Sequence, residues 1–98
     1  MIDADAAAAM TREDHRRGFT AVIASLLAEF DVYLGKAGSD PFADKVGYPQ
    51  FSLWLSDAEK TELINEIATS LRARAANDPS PERNRHLLTI AFFPVEDG

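Results

Sequence analysis

An α+β fold of order α-β-α-β is predicted by three observations. Apolar residues from Phe19 to Leu34 recur at spacings of three and four, the mark of an amphipathic helix. Gln50-Phe51-Ser52-Leu53-Trp54-Leu55 alternates apolar and small polar residues with the two-residue period of a half-buried strand. A second helical segment, opened by Ser56-Asp57-Ala58-Glu59, separates that strand from the apolar run His86-Leu87-Leu88-Thr89-Ile90-Ala91-Phe92-Phe93. Two strands make no durable sheet alone. The pattern therefore predicts a small two-stranded sheet per chain, covered by two long helices and completed in a homodimer.

Residues 1–10 are alanine-rich and lack periodicity, which reads as a disordered or linker tail ahead of a single domain over 11–98 that serves dimerisation or ligand binding. Thr11 is a good N-cap residue, and Glu13 and Asp14 suit the positive end of a helix dipole. The stripe Phe19, Val22, Ile23, Leu26, Leu27, Phe30, Tyr33 and Leu34 follows. Gly35 stands where a left-handed glycine stops a helix. From there to Pro49, glycines and prolines predict a long loop, with Phe42, Val46 and Tyr48 lying over the core. Pro41 suits the first position of a short helical turn from Asp40 to Lys45.

Ser56-Asp57-Ala58-Glu59 reads as a capping box, with the Ser56 hydroxyl and the Glu59 carboxylate each accepting the other's backbone N–H. The helix it opens extends to about Ala76 on the stripe Leu63, Ile64, Ile67, Ala68, Leu71 and Ala75, with acids early and Arg72 and Arg74 late. Pro79 and Pro81 end it. The final strand is apolar on both faces, which implies cover by helices on one side and a second subunit on the other. A right-handed crossover would set the two strands parallel.

Composition excludes several function classes. Ninety-eight residues make one domain near the lower limit of a self-sufficient core. A net charge of −6 argues against direct contact with a nucleic-acid backbone. The absence of cysteine removes disulfides, thiolate metal sites and a cysteine nucleophile. No apolar stretch is long enough to span a bilayer and Met1-Ile2-Asp3-Ala4-Asp5 is no signal peptide, so a cytoplasmic location without membrane contact is expected.

Candidate chemistry is sparse. His15 and His86 lack the spacing of metal ligands, and Ser25, Ser52, Ser56 and Ser70 lie in no nucleophile-elbow pattern. No glycine run matches a phosphate cradle. Glu62 and Glu66 share a helix face away from the apolar stripe and read as solvated. Arg72, Arg74, Arg83 and Arg85 read as complements to the helix dipole and to acids across an interface. No catalytic residue, metal or cofactor is therefore assigned, and a non-enzymatic role is expected. The aromatic residues carry more information. Trp54, between Ser52 and Ser56, fits a subunit interface or, with Phe92, Phe93, Tyr48 and Tyr33, the wall of a cavity for a small apolar ligand. The interface or cavity candidates are Phe19, Ile23, Leu26, Phe30, Trp54, Leu88, Ile90 and Phe92.

Three stretches carry a family likeness: Arg17-Gly18-Phe19-Thr20, Phe51-Ser52-Leu53-Trp54-Leu55-Ser56-Asp57-Ala58-Glu59 and Leu87-Leu88-Thr89-Ile90-Ala91-Phe92-Phe93-Pro94. In this order they resemble the C-terminal region of actinobacterial ArsR-like winged-helix transcriptional regulators. The resemblance implies a dimerisation and effector-binding domain of a transcriptional regulator. The winged helix-turn-helix of those proteins has no counterpart before Thr11, so no DNA contact is carried over to this chain. Their metal-sensing cysteine pairs are absent too. Two other readings are open: a small dimeric α/β ligand-binding protein or enzyme with an aromatic-lined cavity, and an acidic protein-interaction module.

Overall fold

Two long helices carry the regular structure of residues 8–96, the part of the chain that the computed structural model describes. Helix α1 is Arg12–Leu34 and helix α2 is Asp57–Ala75. The chain divides into two compact units, Met1–Gly47 around α1 and Tyr48–Gly98 around α2. The sequence places a tail over 1–10; of this, residues 1–7 lie outside the described residues, and Ala8 and Ala9 are helical.

Both helices begin where side chains replace the missing backbone partners of a first turn. Thr11 caps α1: its hydroxyl accepts the Asp14 N–H at 3.0 Å, and the Asp14 carboxylate accepts the Thr11 N–H at 2.9 Å. Ser56 caps α2 in the same reciprocal way, with 3.2 Å from the Glu59 N–H and 2.9 Å from the Ser56 N–H to Glu59 Oε1. Hydrogen bonds from the caps hold the Asp14 and Glu59 carboxyls below their ordinary range, and the Lys60 ammonium does the same for Asp57. Short-range ion pairs add to each first turn, Arg16–Glu13 at 2.8 Å in α1 and Lys60–Asp57 at 2.9 Å in α2. Their exposure keeps each contribution small.

The helix ends differ from one another. α2 closes with the Asn77 N–H on the Arg74 carbonyl at 3.0 Å, and Arg74 donates back to the Ser70 carbonyl at 3.0 Å. Pro79 and Pro81 then bar further helix, and Arg83 closes the following turn on Ser80 at 3.1 Å. In α1 the expected left-handed glycine is not at Gly35, whose φ of −77° is right-handed. Its N–H still reaches the Asp31 carbonyl, and the helix tightens one residue later through Lys36 to Tyr33. The left-handed position falls at Gly38, φ 84°, in the turn that the Ser39 N–H closes on Lys36. That geometry needs a residue without a Cβ at its third position.

The helical turn expected from Asp40 to Lys45 is present in hydrogen-bond pattern. The Asp40 carboxylate accepts from the Phe42 and Ala43 N–H groups at 3.1 and 3.2 Å. Lys45 to Phe42 and Val46 to Pro41 close its far end in the double bond of a Schellman motif. Lys45 takes the left-handed conformation that this motif requires, φ 58°. Phe42 does not lie over a core as expected: it is 94 % exposed.

The α+β expectation is overturned. Among the described residues there is no strand and no sheet, only an isolated antiparallel bridge between Ser80 and Arg83. The regular structure of the described residues is all-helical. Residues 50–55 and 86–93 have strand composition, but alternation records only which side chains suit burial. A strand also needs a neighbour for its backbone ladder, and a lone pair of strands gains too little in water to hold together. The cover by the chain's own helices expected on one side of 86–93 is not made either, since each of those residues is exposed.

Candidate interaction surface

The eight candidate residues divide four and four between the units. Phe19, Ile23, Leu26 and Phe30 share one face of α1, within about 60° of arc at 3.6 residues per turn. Trp54, Leu88, Ile90 and Phe92 lie in the second unit, on segments without regular structure. Helix formation alone brings the first set together; the second set has no ladder to align it.

None of the described residues is buried. On α1, Phe19 is 48 % and Ile23 44 % exposed, while Leu26 and Phe30 are half-buried. In a folded chain such side chains normally lie inside, and contiguous exposed apolar faces are a common kind of contact surface. Trp54 is 81 % exposed. Leu88, Ile90 and Phe92 are exposed as well.

The face of α1 continues into an aromatic pair that the sequence reading did not isolate. The rings of Phe30 and Tyr33 stack with centroids 6.0 Å apart and 10° between planes. The Tyr33 hydroxyl donates to Asp44 Oδ2 at 2.5 Å, which fastens the Asp40–Lys45 turn to the last turn of α1. This bond, with the neighbouring carboxylates behind it, pushes the Tyr33 pKa up to about 12. Eleven residues separate the two partners, so no helical or strand spacing announces them.

A pH prediction follows from the raised value. Only the neutral phenol donates to Asp44, so the bond is fully present below the ordinary tyrosine pKa of about 10 and is lost as pH rises through about 12. In a Tyr48→Phe background, phenolate absorbance reports Tyr33 alone and should titrate near the upper value; adding Asp44→Asn should bring it back towards 10. A midpoint near 10 in the presence of Asp44 would show that the bond does not persist in solution.

The remaining candidates hold local structure. The Ser56 hydroxyl and the Glu59 carboxylate are both engaged in the α2 cap. Glu62 and Glu66 are exposed. His86 holds the Asn84 carbonyl at 2.7 Å through Nδ1, which must carry the proton because a carbonyl only accepts. Arg83 donates to the Asp78 carbonyl at 2.9 Å. No group of acidic and histidine side chains able to hold a metal occurs among the described residues. No helix among them is long and apolar enough to cross a membrane.

Comparison of the chain with protein-family models, with curated proteins and with solved structures returns no match.

Proposed function

We propose that this chain is a non-enzymatic dimerisation module, whose apolar helix faces become buried when a second copy binds. One observation carries the reading: α1 aligns Phe19, Ile23, Leu26 and Phe30 along one face, and none of them is buried. Isolated helices owe little of their stability to propensity; an amphipathic helix is held by what its apolar face packs against. The resemblance to the C-terminal region of ArsR-like regulators supports a regulatory setting, in which such a module holds two DNA-binding domains together. An effector is a further element of that setting. Trp54 and Phe92 are too exposed to enclose one within a single chain, so a small apolar ligand would need walls that a second copy supplies.

Sedimentation equilibrium tests the proposal together with far-ultraviolet circular dichroism over a dilution series. The expected result is a dimer at micromolar concentration whose helicity falls as it dissociates, because association and folding are then one equilibrium. A monodisperse monomer with concentration-independent helicity would overturn it.

A further inference from the structure

Building on the dimer reading, we infer that the contact is an antiparallel pair of α1 helices, one from each copy. Phe19, Ile23, Leu26, Phe30 and Tyr33 follow one another at intervals of four, three, four and three. This is the seven-residue repeat of a helix seam, in which each side chain inserts between those of a facing helix.

Direction is decided by charge. Counting back seven residues from Phe19 and Ile23 puts Arg12 and Arg16 at the same seam positions. In a parallel pair each arginine meets its own copy inside the seam, where like charges are strongly unfavourable. The other end of α1 is acidic: Glu29 and Asp31 lie there, the last turn holds no basic residue, and Asp44 is bound to Tyr33 beside it. No basic residue in that last turn offsets the negative end of the helix dipole. A second α1 running the opposite way, centred near Ile23, lays Arg12 and Arg16 over that acidic end. There Arg16 meets the Phe30 ring face, a favourable seat for a guanidinium. The bond from Arg16 to Glu13 lies at the surface, with the two side chains 73 % and 52 % exposed, and offers little resistance to the exchange.

The cysteine-free sequence makes the test direct, since one introduced thiol gives one label per chain. A nitroxide on Met10→Cys, just before α1, reports the distance between the two helix starts by dipolar spectroscopy. Antiparallel pairing places them about 35 Å apart, the length of the helix. A second arm tests charge: Arg12→Glu/Arg16→Glu should weaken self-association about tenfold or more. Mixing it with Glu29→Arg/Asp31→Arg should restore association as a mixed dimer. A distance under about 20 Å, two helix diameters, would mean parallel pairing and overturn the inference. A dimer by sedimentation with association unchanged by the charge variants would remove α1 from the contact. Monomeric parent protein would instead bring down the dimer reading beneath it.

Discussion

Leu26→Asp is expected to leave the protein monomeric at concentrations where the parent associates. Leu26 lies mid-way along the apolar face of α1 and is half-buried even in the single chain. In an associated state its side chain is desolvated, and a carboxylate there has no partner of opposite sign. Such a group costs several kcal/mol, and a two-fold contact carries it twice. At about 1.4 kcal/mol per factor of ten, the dissociation constant should rise by two orders of magnitude or more. Helicity should fall as association is lost, because the apolar face then loses the packing that the second copy supplies. Ala28→Asp supplies the control: the same charge is added two residues away on the opposite, exposed face of α1, and the oligomeric state should not change. Parent-like sedimentation of Leu26→Asp would show that this face is not the contact.

The helices were legible because their signals are local. Ser56 and Glu59 form the reciprocal cap that their spacing predicts, and the breaks at Pro79 and Pro81 come from a covalent property of proline. Thr11 was readable as a cap, but its reciprocal partner Asp14 has a shorter side chain than the glutamate usual at that position, and the second half of the box emerges only in the structure. Gly35 shows how a local rule misplaces a detail. The helix does stop there, yet the left-handed residue is Gly38, since the chain closes one tighter turn first.

What failed to be legible depends on partners distant in the chain. Phe51, Leu53 and Leu55 alternate as a strand does, and so do Leu88, Ile90 and Phe92, but alternation cannot supply the neighbouring backbone. The same limit splits the candidate surface. Phe19, Ile23, Leu26 and Phe30 converge because 3.6-residue geometry brings them together without outside help. Trp54 and Phe92 needed a sheet to align them and have none. Tyr33 and Asp44 meet across a loop whose shape is set by Gly38, Pro41 and Lys45 together, a combination with no fixed spacing. The acidic balance of the chain was visible from composition. Its uneven distribution along α1 acquires meaning only once the seam positions of Arg12 and Arg16 are known.

Ser56→Ala should melt the first turns of α2 to an extent unusual for a single surface substitution. In a well-packed domain the loss of an N-cap, about 1 kcal/mol, is absorbed by the tertiary contacts of the helix. α2 has no buried residue, so its cap, dipole and first-turn ion pair account for much of what holds its N-terminus. Against a marginal helix–coil balance, 1 kcal/mol is about a fivefold change in the local equilibrium. Acid should mimic the substitution. The Glu59 carboxyl is held below its ordinary value by the Ser56 N–H and hydroxyl, and Asp57 by Lys60. Their contributions are therefore complete above the ordinary carboxylate pKa of about 4 and are lost as pH falls through the lowered values. Backbone chemical shifts of residues 57–60 measure both effects. They should move towards coil values in Ser56→Ala at neutral pH and in the parent at acid pH, and the variant should show the smaller further change on acidification. Full helicity in the variant would mean that contacts made on association, and not the cap, hold this end of α2. In that case the face bearing Leu63 and Ile67 would join α1 as part of the contact.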